Sequence, residues 1–410
     1  MKFGSKEFVP VILGTGLSAY GIARSLHEEY GVHSLALGRA HLRETAHSKI
    51  VAVRVYEQFD DADFIIRTLN ALTEEFPGRT LMVFPTIEMY AYTVIERAAE
   101  LSENIVVPLP DAAAFSRVKN KRDFYEACEE FGVPYPAYTI VNETHQDDPL
   151  LGENLDFPYP AVVKPSDTSI YPRLSFAGRK KVYRVANPTE LREVVQLVFQ
   201  GGYEGDLIVQ EMLPGNETIM QVANSFSTPS GLVDSVVVAQ VILADQSPTL
   251  VGNFEALVPV VNGPSEEDLA RLLEGLGYAG FANFDLLLDK RTGVYKVLEL
   301  NVRLGGASYY ATLAGINLPA RSVESFIHRR LDSPSPAPQK KLWLNVPYPL
   351  LRRYAPKALL ALAAEAARNG KGDTLWYRED LSVRRVVTLL EYEARVIQKT
   401  IRYHDNGVNG

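Results

Sequence analysis

From Val9 to about Val107, short β-branched runs (VPVIL, IVAVRV, TLMVF, NIVVP) alternate with stretches of helical periodicity, such as Ala19 to Glu29 and Asp61 to Glu75. This alternation predicts a parallel α/β sheet, because parallel strands need crossovers long enough to hold a helix. Proline-rich punctuation at Pro108 to Asp111 breaks the pattern, and a second break falls at Val133 to Pro136. Between Tyr159 and Asn301 the apolar runs lengthen and follow one another with fewer helices (TIMQVANSF, DSVVVAQVIL, FANFDLLLD). That region is expected to be α+β with antiparallel pairs. After Leu331 the run DSPSPAPQ cannot continue a helix and reads as an extended linker. Beyond it, the Ala/Leu-rich stretch Ala355 to Asn369 predicts a packing helix. Three regions follow: 1–108, 109–331 and 332–410.

Composition narrows the function classes. A chain of 410 residues with 46% hydrophobic content exceeds what one core usually serves, in keeping with several domains. Its formal net charge of -8 argues against nucleic acid as a bulk partner, which would need a concentrated basic footprint. The single cysteine, Cys128, lies in a helical context (FYEACEEFG) and reads as a packed thiol in a reducing cytosol. No apolar run resembles a signal peptide or a membrane span, so a cytoplasmic enzyme with no integral membrane segment is expected. The oligomeric state is left open, a homodimer included.

The strand VPVIL runs into Gly14, Thr15, Gly16, Leu17, Ser18 and Ala19, a G-x-G-x-x-A spelling found in dinucleotide-binding turns. The second strand ends in LALGRA, with Arg39 where an NAD enzyme would place an acid, which leaves only an NADP-type reading. Close packing at a strand-to-helix turn explains the glycines equally, so a Rossmann-like fold without a dinucleotide is preferred.

The strongest local signal is Glu299, Leu300, Asn301, Val302 and Arg303 after the strand VYKVL, followed at once by LGG. Side chains two apart on a strand share a face, so Glu299, Asn301 and Arg303 point one way and Leu298, Leu300 and Val302 the other. The preceding strand repeats the design, with Asn283, Asp285 and Asp289 on one face, and KRTG joins the two as a hairpin. Burying both apolar sets together predicts Asp289 opposite Tyr295 across a five-residue connection, and therefore Asp285 opposite Glu299. Two carboxylates and an amide oxygen beside an arginine form a hard oxygen site for magnesium with room for phosphate.

Such a site needs cations for the remaining phosphates, and the chain has no G-x-x-x-x-G-K-[ST] loop to supply them. Lys164 ends the apolar strand in YPAVVKPSD, and Lys121 opens the helix KRDFYEAC. The stretch LIVQEMLPG, Leu207 to Gly215, reads as a buried strand ending in a proline-glycine turn, able to offer backbone groups to an adenine edge. Ser166 to Gly178 is a polar loop whose serines suit phosphate.

Lys121, Lys164, the LIVQEMLPG hinge, Asp285 and the Glu299-to-Arg303 strand occur in the order and context of the ATP-grasp superfamily, which the chain resembles. The resemblance implies a Rossmann-like N-terminal domain over 1–108, an ATP-grasp domain of two lobes over 109–331 with its hinge near 207–215, and a small linker and C-terminal helical region over 332–410. It implies that Lys121 and Lys164 hold ATP phosphates, Lys164 also acting in catalysis. Gln210, Glu211, Met212 and Leu213 would meet adenine, and Glu217 the ribose. Asp285, Glu299 and Asn301 would hold two Mg2+ ions, Mn2+ being an alternative, and Arg303 would face the acyl phosphate. Within the superfamily the chain is most similar to the D-aspartate ligases, through PVILGTGLSAYGIARSLHEEYG, HSKIV, NKRDFYEACEEFGVPYP, FAGRKKVY, GYAGFANFD and LAGINL. That likeness implies phosphorylation of the β-carboxylate of D-aspartate and attack by the lysine side-chain amine of a UDP-MurNAc-pentapeptide. Arg179, Lys180, Lys181 and Arg303 are the candidates for binding this dianionic donor. A ligase for another amino acid or amine shares every nucleotide-site residue. An NADP-dependent oxidoreductase and a non-catalytic nucleotide sensor are the readings from other classes.

Overall fold

The computed structural model describes the chain apart from residues 1, 2, 4, 6, 167–170, 172–173, 248–251, 332–333 and 406–410. The β-branched runs of the N-terminal part form β1 (Phe8–Leu13), β2 (Ser34–Gly38), β3 (Val51–Val55), β4 (Thr80–Pro85) and β5 (Ile105–Val106). They pair in parallel in the order β3-β2-β1-β4-β5. β1 and β2 are buried along their whole length, as strands covered on both faces must be. The glycine turn is required by close packing: Gly14 has φ 128°, and a Cβ there would lie 1.9 Å from Thr86 Oγ1. Arg39 pairs with Asp60 at 2.7 Å.

The expected antiparallel region divides into two sheets. The smaller contains β6 (Tyr138–Val141), β7 (Ala161–Pro165), β8 (Tyr183–Val185) and β9 (Leu207–Glu211), ordered β6-β9-β7-β8. Helix Pro188–Gln200 covers it, started by Asn187 as N-cap and a proline in the first turn. The larger contains β10 (Met220–Ser227), β11 (Val233–Ala244), β12 (Phe254–Pro259), β13 (Gly280–Asp289) and β14 (Val294–Asn301). Its apolar face shares one core with the N-terminal sheet, running from Val9 and Phe124 to Phe284 and Val302.

The C-terminal region contributes more than the expected linker and helices. Residues Leu342–Leu344 (β15) and Lys371–Gly372 (β16) extend the large sheet to the order β14-β13-β10-β11-β12-β15-β16. A three-residue strand and a two-residue strand carry too little periodicity to be seen in the sequence. Helix Val383–Asp405 then returns across the molecule, placing Leu389 in the core around β1 and Val396 in the core beneath β12. Among the described residues, no helix is long and apolar enough to cross a membrane.

Candidate active site

β13 and β14 set the metal candidates side by side. Asp285 lies opposite Glu299 and Asn283 opposite Asn301, as the burial pattern requires. The predicted pairing at the hairpin end is corrected by one residue: Asp289 faces Val294, and Leu288 faces Tyr295. Gly293, at φ 74°, closes a tighter turn by donating its N–H to the Asp289 carbonyl at 2.8 Å. A register shift beside Asp285 then restores the expected pairing, leaving Leu298 as the extra residue. The carbonyl of Leu298 is met by the Tyr125 hydroxyl at 2.9 Å. Asp289 does not join the metal candidates; its carboxylate pairs with Arg291 at 2.7 Å and Lys296 at 3.3 Å.

Behind the carboxylates lie the two lysines. Asn120 caps helix Lys121–Glu130 through the Asp123 N–H, which aims Lys121 Nζ at Glu299 Oε2, 3.0 Å away. Burial works against the Lys121 charge, but Glu299 outweighs it and raises the ammonium pKa. The same ammonium, together with Lys164, holds Glu299 down to about 2 against burial. Asp285 is in the opposite state: burial and the Glu299 charge push its carboxyl up to about 7. Burial and Lys121 drive Lys164 down to about 7. Lys164 Nζ lies 3.4 Å from the Tyr125 hydroxyl, which also lies 3.0 Å from Gln210 Oε1. Tyr125 follows Lys121 by four residues, and that helical spacing is the signal that could have identified it.

The remaining nucleotide candidates differ in their surroundings. The buried Glu211 carboxylate is engaged by Lys296, by Arg291 at 2.6 Å and by the Ala137 N–H at 3.0 Å. Met212 and Leu213 follow it outside any strand, with their backbone in no ladder. Glu217 is buried beside β11, within 3.5 Å of the Ala244 N–H and 3.4 Å of Gln246 Nε2, both long contacts. In the polar loop, residues 167–170 and 172–173 lie outside the described residues.

A cavity of about 660 Å3 opens beside the carboxylates. Asp285, Glu299, Asn301, Arg303 and Lys181 line one part, and the Gly14-to-Ser18 turn another. Arg303 Nη2 lies 3.6 Å from Glu88 Oε1, and its buried Nε has no hydrogen-bond partner among the described residues. Arg179 and Lys180 are exposed and lie outside the cavity lining, with Arg179 against the Tyr171 ring. An unforeseen polar chain supports the floor. Tyr310 donates to the Val237 carbonyl, Asn224 Nδ2 donates to Tyr310 at 3.2 Å, and Gly305 N–H donates to Asn224 Oδ1 at 2.8 Å. A Cβ on Gly305 would lie 2.8 Å from Asn283 Nδ2, so the second residue of LGG is fixed by close approach. The C-terminal region supplies Asn345, Tyr392 and Lys399 to the far wall, where Lys399 binds Asp245 and lies 2.9 Å from Glu255.

No family model matches the chain. It is 32% identical over 391 residues to the D-aspartate ligase of Enterococcus faecium (strain Aus0004), covering 93% of each chain. Among solved structures, it resembles the ADP complex of N5-carboxyaminoimidazole ribonucleotide synthetase with a TM-score of 0.60 at 14% identity, covering 82% of this chain and 80% of that one. The L-amino acid ligase of Bacillus licheniformis gives a TM-score of 0.53 at 17% identity, covering 80% and 75%. These likenesses show the ATP-grasp fold. With the sequence relative at this identity and coverage, the chain belongs to the D-aspartate ligase family and is an ATP-dependent carboxylate-amine ligase.

Proposed function

We propose that this protein uses ATP and Mg2+ in the cytoplasm to convert D-aspartate to β-aspartyl phosphate. The acyl group is then joined to the lysine side-chain amine of a UDP-MurNAc-pentapeptide. The observation that carries the reading is the convergence of Asp285, Glu299, Asn301 and Arg303 on one cavity, with Lys121 and Lys164 behind them.

The donor set fits Mg2+. Asp285 and Glu299 meet on neighbouring strands, and no lysine or arginine forms an ion pair with Asp285 among the described residues. Such a like-charge pair is relieved by a cation. Two carboxylates and the Asn301 amide oxygen leave coordination positions for water and phosphate, as Mg2+ prefers. When bound, the metal would supply charge neutralisation between an anionic carboxylate and an anionic triphosphate.

The protein's own groups do the rest. Lys121 and Lys164 hold phosphate oxygens, and an anion beside Lys164 favours its charged form. With the Glu211 carboxylate already engaged, the Met212 and Leu213 backbone is left for the adenine edge, while Glu217 takes the ribose. Attack of the donor carboxylate on the γ-phosphorus forms the acyl phosphate and releases ADP. The amine then adds to the acyl carbon, phosphate leaves, and the amine proton passes to solvent. Arg303 stabilises the oxyanion of that addition. Lys181 shares the cavity and faces the donor, whereas Arg179 and Lys180 support it from outside. A dry cleft protects the acyl phosphate from hydrolysis.

Incubation with ATP, Mg2+, D-aspartate and a lysine-containing UDP-MurNAc-pentapeptide should give one ADP per aspartylated product, followed by mass spectrometry. An unmodified nucleotide with D-aspartate-dependent ADP release would discard this acceptor.

A further inference from the structure

Outside the metal pair, the carboxylates of the cavity have cationic partners with one exception. Glu88 faces Arg303, and Asp245 and Glu255 share Lys399, with Asn345 Nδ2 donating to Glu255 at 2.7 Å. Glu44 lines the same cavity, and its carboxylate forms no ion pair with a lysine or arginine among the described residues. The backbone around it, by contrast, is held by Arg385. Arg385 Nη2 donates to the Glu44 carbonyl at 2.7 Å, and Nη1 to the carbonyls of Arg43 at 3.1 Å and Ala46 at 2.9 Å. The neighbouring Thr45 hydroxyl donates to the Thr15 carbonyl at 2.7 Å, tying this loop to the glycine turn. Burial pushes the Glu44 carboxyl up, against its own backbone N–H and the nearby Arg385 and Arg43 charges. The fold therefore fixes an anion at the cavity wall with no lysine or arginine in direct ion-pair contact among the described residues.

Resting on the ligase reading above, we propose that Glu44 is a specificity-determining residue that receives the α-ammonium of the donor amino acid. Arg303 and Lys181 give the cavity cationic groups for the donor's carboxylates, and Glu44 gives it the complementary anion. An acid that carries two carboxylates but no ammonium would cover the half-buried Glu44 carboxylate without offering it a cation, and the site would disfavour it for that reason.

The test compares D-aspartate with succinate, its counterpart without the ammonium, by calorimetric titration of the full chain loaded with Mg2+ and a non-hydrolysable ATP analogue. The wild type should bind D-aspartate about tenfold or more tighter than succinate, as expected for loss of a charge-assisted contact. In Glu44→Gln the preference should shrink to about threefold or less through weaker D-aspartate binding, with succinate affinity and the KM for the amine acceptor kept. A preference retained at the wild-type level, or an effect confined to the acceptor, overturns the assignment. A wild type that prefers a different amino acid corrects the donor instead, and Glu44→Gln is then scored on that acid against its own des-amino counterpart. Failure of the ligase reading appears as a wild type that binds no amino acid, whereas failure of the Glu44 assignment appears as binding without preference over the des-amino acid, or as a preference that the variant keeps.

Discussion

Replacing Arg303 with alanine is expected to lower turnover by about a hundredfold or more while ATP affinity stays near the wild-type value, in line with removal of an oxyanion donor. Within the fold this guanidinium makes modest contacts: the Leu304 carbonyl at 3.1 Å, and Glu88 at 3.6 Å. Its Nε is buried without a partner among the described residues, and the side chain lines the cavity beside Glu299 and Asn301. Most of what the residue does is therefore reserved for a ligand. Lys121 and Lys164, to which the proposal gives the nucleotide phosphates, remain in the variant. Steady-state turnover measured beside a fluorescent nucleotide titration separates the two effects, and unchanged turnover would remove Arg303 from the mechanism.

The largest stability effect is expected far from the chemistry. Asp380 and Arg385, both in the C-terminal region, are fully buried 3.4 Å apart, and their remaining contacts reach the first helix and the 43–49 loop of the N-terminal region. The Asp380 carboxylate also accepts from the Tyr20 hydroxyl at 2.6 Å, the Ser48 hydroxyl at 3.1 Å and the Lys49 N–H. Asp380→Ala leaves a guanidinium buried without its counter-ion and strands these donors, which costs about 3–5 kcal/mol. Denaturant unfolding should show that loss, and limited proteolysis should cut the C-terminal helix earlier than in the wild type. A change under about 1 kcal/mol would mean that water or a neighbouring group replaces the carboxylate. Because Arg385 holds the loop bearing Glu44, the same variant should raise the KM for the donor.

The features legible in the sequence were those set by local periodicity. Alternation of strands and helices gave the parallel sheet, and even-odd patterning on two adjacent strands put Asp285 opposite Glu299. The same reasoning missed the hairpin end by one residue, because a left-handed Gly293 and a bulge are two compensating shifts that burial pattern alone cannot detect. The large sheet crosses the expected boundary at residue 331, since β15 and β16 of the C-terminal region continue it beyond β12. What the sequence hid depends on long-range packing. Glu44, Asn345, Tyr392 and Lys399 are more than 300 residues apart at the extreme and meet only because helix Val383–Asp405 folds back over the N-terminal loop. Glu211 pairs with Lys296 and Arg291, which lie on or beside β14, and nothing in LIVQEMLPG announces those partners.

Trapping the acyl phosphate tests donor activation. The full chain is incubated with ATP, Mg2+ and hydroxylamine against a panel of D- and L-amino acids, and hydroxamate and ADP are measured together. Hydroxamate formed in step with ADP, and with D-aspartate alone, is the predicted result. Absence of both products with every acid, from protein that binds ATP, would contradict carboxylate activation by this site.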